Sequence, residues 1–216
     1  PERMSIVYDG VDSERFRPPS DEERRQARER YAVEPGRFVL AFLGALTDNK
    51  RPDTLIRAVR RLTEAGEDVE TLLAGQGPEE AGLRALAAEL EVTERVRLLG
   101  YQDARRVLWA ADAMVLPSRS EGVARVMSEA MLSGVVVVRT PAGGAELLVP
   151  GVTGLVFPHG DDQELARQLQ ELIDTPELRE AIATAALEDA LSRFTVIQMT
   201  QLIEQAYLEV IEEQRA

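Results

Sequence analysis

The 216-residue sequence contains no cysteine. This absence excludes disulfide bonds, thiolate metal ligands and catalysis by a cysteine nucleophile. Histidine occurs once, at His159 in a Pro-x-Gly-Asp turn that is typical of a solvated loop, so neither a Ser-His-Asp triad nor a metal cluster is indicated. No apolar run approaches the ~20 residues of a membrane-spanning helix, and no signal peptide is recognisable. We therefore expect a cytoplasmic protein, with peripheral membrane contact by a longer protein left open.

Basic residues are few relative to acidic ones. Lysine and arginine number 25 against 38 aspartates and glutamates, which gives a net charge of −13. Such a surface repels nucleic-acid backbones and anionic membranes, so a small-molecule partner is favoured, with any phosphate held by local donors. A hydrophobic fraction of 44% is sufficient for the packed core of one domain, or at most two.

Apolar runs of strand length alternate with amphipathic helical segments along most of the chain. This pattern predicts a Rossmann-like α/β domain, in which a parallel sheet carries helices on both faces and ligands bind at the carboxyl ends of the strands. The predicted strands cover 37–46, 69–74, 96–101, 113–116, 135–140 and 154–157. The predicted helices cover 52–65, 79–90, 103–110, 124–132, 161–173 and 175–194. The last two are expected to be capped by Asp161 or Asp162 and by Thr175 with Pro176.

Further elements are predicted at the two ends. A short strand is expected over 5–8, followed by a charged surface helix that begins with the capping box of Ser20 and Glu23. The last segment places one apolar stripe on a helix, formed by Val196, Met199, Ile203, Ala206, Tyr207 and Val210.

The stretch 117–134, PSRSEGVARVMSEAMLSG, is the centre of the functional hypothesis. A loop carrying Glu121 leads into a helix carrying Glu129, which ends at Gly134. The first turn of such a helix offers unpaired N–H groups to a phosphate, and a carboxylate two turns on can accept hydrogen bonds from sugar hydroxyls. On spacing alone an ordinary explanation is favoured, in which Glu129 pairs with Arg125 on a solvated face and Glu121 is a plain loop acid.

The same stretch resembles the signature of the group 1 family of retaining nucleotide-sugar glycosyltransferases, which have the GT-B fold. The matching pieces are PSRSEG, SEAM and SGVVVV. The resemblance implies that Glu121 contacts the hydroxyls of the donor sugar and that Glu129 contacts the ribose hydroxyls. It also implies that amides of the helix start face the diphosphate and sugar, namely those of Gly122, Val123, Ala124, Arg125 and Val126.

The loop after the first strand, GALTDNK, resembles the family's diphosphate clamp. In the family this loop supplies an arginine next to the glycine and a lysine six residues after it. Here Gly44 and Lys50 match, and the resemblance implies that Lys50 neutralises the leaving diphosphate. Ala45 stands where the arginine is expected, and Arg51 can compensate only in part, because an adjacent residue points elsewhere. A solvated loop lysine is the alternative for Lys50.

Two more loops extend the resemblance. Tyr101 and Gln102 follow the third strand, where the family tends to hold the base, although packing of the tyrosine on the core is equally compatible. Gly143 and Gly144, with Glu146, resemble a loop that flanks the donor pocket and permits close backbone approach.

A dinucleotide site is a competing interpretation of Gly75-Gln76-Gly77, which follows a strand and precedes a helix. The third glycine of that fingerprint is replaced by Glu80, so the pattern argues only weakly for a nicotinamide-dependent oxidoreductase.

The resemblance covers about 9–194 and implies that 1–216 form one donor-binding domain, the C-terminal half of a GT-B enzyme. Residues 1–19 would form the lead-in and 195–216 a helix that packs on an N-terminal domain absent from this chain. That domain would hold the acceptor, so the chain alone should bind a nucleotide-diphosphate sugar but transfer little. No cofactor or metal is expected. A non-catalytic binding or scaffolding module remains the alternative because of Ala45 and Ala124, and the sequence names no nucleotide, sugar or acceptor.

Overall fold

The structure is a computed structural model that describes residues 7–122, 124–144 and 147–215, with side chains to residue 211. Three predictions fall outside these residues: the roles given to Val123 and Glu146, and the first half of the strand at 5–8. The other half of that strand, residues 7–8, has no strand conformation.

The core is one parallel sheet of six strands in the order β3-β2-β1-β4-β5-β6. This confirms the predicted Rossmann-like architecture and is the strand order of dinucleotide-binding folds, whose topological switch point lies between β1 and β4. The strands are β1 Phe38–Leu43, β2 Val69–Ala74, β3 Val96–Gly100, β4 Ala113–Leu116, β5 Val136–Arg139 and β6 Leu155–Val156. The first strand ends at Leu43, earlier than predicted, so Gly44 begins a loop.

Helices cover both faces of the sheet, as the uninterrupted apolar strands require. One layer of buried apolar side chains lies between the sheet and α2, α3 and α6, and the other lies between the sheet and α1, α4, α5 and α7. The helices are α1 Asp21–Arg30, α2 Pro52–Glu64, α3 Glu80–Glu89, α4 Ala104–Ala110, α5 Arg125–Leu132, α6 Asp162–Asp174, α7 Pro176–Arg193 and α8 Val196–Arg215.

Local sequence signals set most helix ends. The predicted capping box is present, since Ser20 Oγ accepts from the Glu23 amide and the Glu23 carboxylate accepts from the Ser20 amide. Asp161 caps α6 through the Glu164 amide at 2.9 Å. The predicted cap by Thr175 is not observed, because its side chain makes no capping hydrogen bond to α7.

The segment before α1 meets the start of α8 at the end of α7. The Val11 amide donates to the Phe194 carbonyl at 2.8 Å, and the Val196 amide donates to the Val11 carbonyl at 3.1 Å. Beyond this junction α8 exposes an apolar surface formed by Val196, Ile197, Leu202, Ile203, Tyr207, Leu208, Val210 and Ile211.

Candidate functional site

The loops that leave the carboxyl ends of the first three strands pack backbone against backbone. The Gly44 amide donates to the Ala74 carbonyl at 3.1 Å, and the Gly75 amide donates to the Gly100 carbonyl at 2.8 Å. A Cβ added at Gly75 would lie 1.7 Å from the Gly44 carbonyl oxygen, and one at Gly77 would lie 2.2 Å from that of Leu46. Glycine is therefore required here for close approach between loops, and the dinucleotide interpretation is not needed to explain it.

A cavity of about 790 Å³ opens at this edge beside the switch point. Its wall combines the ends of β1, β2 and β3 with one side of α5 and the lead-in segment. It is lined by Arg15, Phe16, Leu43, Gly44, Ala45, Ala74, Gly75, Gln76, Tyr101, Gln102, Asp103, Ala104, Arg125, Val126 and Glu129. Its position, outside the carboxyl ends of parallel strands, is where open α/β sheets bind ligands.

Glu129 is the only carboxylate that α5 contributes to the cavity wall. Its side chain is 13% exposed and lies 3.4 Å from Arg125 Nε. The expected pair with Arg125 therefore exists, but the glutamate is not on a solvated face. Burial raises the pKa of Glu129, and the charge of Arg125 opposes this rise. A largely buried carboxylate that faces a cavity is poised to accept hydrogen bonds from a ligand.

The raised pKa of Glu129 predicts that ionisation of this carboxylate lowers the stability of the folded domain. Because the folded-state pKa lies above the usual value of a glutamate, the stability of the wild-type domain should fall as pH rises from the usual pKa through the raised one. Glu129→Gln should remove this contribution, so the variant should equal or exceed wild type in thermal midpoint at pH 7. Thermal unfolding between pH 4 and pH 8 measures it, with Glu89→Gln, a substitution of an exposed glutamate on α3, as the matched control. A variant that is less stable than wild type at pH 7 would contradict the assignment.

Lys50 and Glu121, the two predicted catalytic residues, are bonded to each other. Lys50 Nζ lies 2.6 Å and 2.7 Å from the two carboxylate oxygens of Glu121, and Ser118 Oγ donates to Oε1 at 2.6 Å. The Glu121 side chain is 9% exposed and that of Lys50 is 29% exposed. The pair joins the loop after β1 to the loop after β4, which are neighbouring strands at the switch point. The solvated-lysine alternative is thus replaced by a specific contact.

The loop after β5 rests against the Glu121 loop. A Cβ at Gly143 would lie 2.1 Å from the Glu121 carbonyl oxygen, and one at Gly144 would lie 3.0 Å from that of Gly122. Gly144 has a φ of 72°, which favours glycine further. The two glycines therefore allow close backbone approach between the loop after β5 and the Glu121 loop.

Several predicted residues are brought together and others are not. Gly44, Tyr101, Gln102, Arg125, Val126 and Glu129 line the cavity, whereas its described wall excludes Lys50, Glu121, Gly122, Ala124 and Gly144. Arg51 lies in another groove, between α2 and α3, where its guanidinium bonds Asp53 at 2.8 Å. Tyr101 is 86% exposed, so the alternative in which its ring packs on the core is wrong.

Sequence reasoning missed three groups of this edge. Arg15 and Asp103 form an ion pair at 3.2 Å in the cavity wall, and Ser118 supports Glu121. Their nearness depends on the tertiary fold. Arg139 is the third, and it did carry a signal, since it is a charged residue at the end of an all-valine buried strand.

Metal-binding and membrane-spanning features are absent from the described residues. Across the part of the chain that the structure describes, no three histidine, aspartate or glutamate side chains gather as a potential metal-binding group. None of its described helices combines the length and apolar character of a membrane span.

Fold and site together define a Rossmann-like ligand-binding domain with its cavity at the topological switch point. The glycosyl transferases group 1 family model matches residues 23–189, and the chain belongs to this family.

Curated relatives agree with this assignment. The chain is 35% identical over 186 residues to a GDP-mannose-dependent monoacylated alpha-(1-6)-phosphatidylinositol monomannoside mannosyltransferase of Corynebacterium glutamicum, covering 82% of this chain and 48% of that protein. It is 35% identical over 225 residues to a D-inositol 3-phosphate glycosyltransferase of Saccharomonospora viridis, covering 98% of this chain and 51% of that protein. The chain thus spans about half the length of these relatives.

Solved structures share the fold. The Anabaena protein HepE in complex with UDP and glucose superposes with a TM-score of 0.87 at 29% identity, over 94% of this chain and 56% of that one. The C-terminal domain of a Francisella tularensis glycosyl transferase group 1 family protein superposes with a TM-score of 0.79 at 22% identity, over 87% of this chain and 100% of that one. The fold is therefore that of a GT-B glycosyltransferase domain.

Proposed function

We propose that this chain is the donor-binding domain of a glycosyltransferase and that its cavity binds a nucleoside-diphosphate sugar. The observation that carries the proposal is the position of Glu129, a mostly buried carboxylate in the wall of a cavity at the carboxyl edge of the sheet. The Anabaena neighbour, solved with UDP and with UDP-glucose, supports a nucleotide in this fold.

The resemblance to the family assigns the parts of the ligand to positions in the site. Glu129 accepts hydrogen bonds from the ribose hydroxyls, and the base lies toward Tyr101 and Gln102 at the far side of the cavity. The diphosphate then extends along the start of α5, whose unpaired amides and dipole favour an anion. This direction leads to Glu121 and Lys50, so the sugar meets the carboxylate and the leaving phosphate meets the ammonium.

The pair of Lys50 and Glu121 opens when the donor arrives. Both groups are partly withdrawn from water in the empty protein, which strengthens their attraction relative to a surface pair. A diphosphate offers the lysine a new acceptor, and sugar hydroxyls offer the glutamate new donors. We propose transfer with retention at the anomeric carbon and without a metal, with Lys50 and the α5 amides stabilising the charge of the leaving group.

The acceptor belongs to a second domain. The apolar surface of α8, from Val196 to Ile211, is the face on which such a domain would pack. The chain alone should therefore bind donor yet transfer little sugar. The anomeric configuration of a product made by the complete enzyme tests retention.

Nucleotide binding is tested by thermal unfolding with UDP, GDP and ADP. A nucleotide present at ~100 times its Kd should stabilise the domain by about 2.7 kcal/mol, which raises the midpoint by roughly 5–10 °C. Glu129→Ala should abolish the shift, whereas Glu89→Ala, on the exposed side of α3, should retain it. Absence of a shift with all three nucleotides would remove the proposal.

A non-catalytic binding or scaffolding module is the second candidate. Ala45 in place of the family's arginine favours it, together with a lysine already neutralised by Glu121. Under this alternative the isolated domain either binds no nucleotide or binds one without turnover in the complete protein.

A further inference from the structure

Arg139 is a buried cation that donates mainly to carbonyls of the loop after β5, and its Nη1 also lies 3.5 Å from Met127 Sδ on α5. Its side chain is 2% exposed, at the carboxyl end of β5. Nε donates to the Thr140 carbonyl at 3.0 Å, Nη1 to that of Gly144 at 3.0 Å, and Nη2 to those of Gly143 at 2.6 Å and Ala142. A planar guanidinium is suited to this task, because its donors diverge in a fixed fork.

These bonds fix the direction of the peptide groups. In a trans peptide the C=O of one residue points opposite to the N–H of the next. Since the carbonyls of Ala142 and Gly143 point at the guanidinium, the amides of Gly143 and Gly144 point away from it. Arg139 therefore sets both the position of the loop and the side on which its amides are presented.

The loop in turn supports the carboxylate loop after β4. Gly143 lies so close to the Glu121 backbone that even a methyl group does not fit, and Gly144 approaches Gly122 less closely, with a Cβ distance of 3.0 Å. On the other side of this contact the Glu121 side chain is held by Lys50 and Ser118. Arg139 is thus connected to the proposed sugar end through backbone contacts, without lining the cavity itself.

We infer that Arg139 is a positioning residue for the sugar–diphosphate end of the donor site. This inference rests on the proposed function. Its consequence is selective. Arg139 donates mainly to loop carbonyls and reaches α5 through the thioether of Met127, a weak acceptor. A loss of Arg139 should therefore disturb the far end of the ligand more than the nucleoside end at Glu129. A displacement of about 1 Å in groups that hold a reacting centre has large effects on its recognition.

The test compares two ligands in two variants and a control. Arg139→Met should lower the affinity for a nucleoside-diphosphate sugar about tenfold more than that for the matching nucleoside monophosphate. Arg139→Lys should recover part of this difference, since one ammonium cannot hold the three loop carbonyls together. Glu70→Gln is the control: Glu70 is a buried partner of Arg37 at the opposite end of the sheet, so it should lower stability and leave the affinity ratio unchanged.

Amide hydrogen exchange of the empty domain gives a second measure that needs no ligand. Arg139→Met should raise the exchange rate in 118–122 as well as in 140–144. Glu70→Gln should not raise it selectively in either segment. An unchanged affinity ratio, or faster exchange confined to 140–144, would overturn the inference. If Arg139→Met does not fold, Arg139→Lys is judged by the same two measures. Failure of wild type to bind either ligand removes the proposed function instead, and the exchange result still decides whether the two loops are coupled.

Discussion

Replacing Lys50 by methionine is expected to weaken the binding of a nucleoside diphosphate about 30- to 100-fold. The loss corresponds to roughly 2–3 kcal/mol, the contribution of one charge-assisted hydrogen bond to a phosphate. Methionine keeps most of the side-chain volume, so the effect should come from the ammonium group. It should also leave Glu121, a 9% exposed carboxylate, with Ser118 as its remaining described side-chain partner.

The result is specific because the ligand can be shortened. Calorimetric titration with the nucleoside monophosphate should give an affinity within about threefold of wild type, since the proposed lysine contact lies at the second phosphate. Arg84→Gln removes the same charge from an exposed pair with Glu80 on α3 and should alter neither affinity. Equal losses for monophosphate and diphosphate would show that Lys50 acts on the fold of the loop and not on the second phosphate.

Gly75→Ala is expected to destabilise the domain by about 3 kcal/mol and to lower its thermal midpoint by roughly 6–12 °C. The new Cβ would lie 1.7 Å from the Gly44 carbonyl oxygen. Both contacting groups are backbone, so no side chain can rotate away to relieve the overlap. The loops after β1 and β2 must separate, which breaks the hydrogen bonds that join them.

Gly44→Ala is the matched control for this substitution. It places a methyl group on the other partner of the same contact, where the nearest atom is a ring carbon of Phe42 at 3.6 Å, an ordinary van der Waals distance. Its stability should therefore lie within about 1 kcal/mol of wild type. Comparable losses in the two variants, measured by thermal or denaturant unfolding, would indicate a general dependence of these loops on glycine and not a steric clash.

The architecture was predictable because each layer left a local signature. Strands buried on both faces must be apolar throughout, as in Val136–Arg139 up to its last residue, and the helices between them must have one apolar side. Helix starts were equally local where a side chain caps the backbone, as Ser20 and Asp161 do. The prediction failed for Thr175, where proline already supplies a helix start without a cap.

The site was predictable only in part. The spacing within one helix placed Glu129 with Arg125, but the burial of that glutamate depends on the loops of three other strands. The bond between Lys50 and Glu121 joins residues 71 positions apart, a distance at which no sequence period operates. Arg51 is next to Lys50 in sequence, but its side chain lies elsewhere. Its backbone is left-handed (φ 50°), and its guanidinium bonds Asp53.

The main-chain contacts among the loops after β1, β2 and β3 have a consequence for how this protein can evolve. Glycine carbonyls and amides hold these loops together, so the adjoining side chains of Ala45, Gln76 and Tyr101 are exposed. Selection can therefore change those three positions without endangering the fold. Ala45, which stands where the resemblance implies an arginine, would be an exchange of this kind, and related proteins could diverge in ligand preference while inheriting the same scaffold.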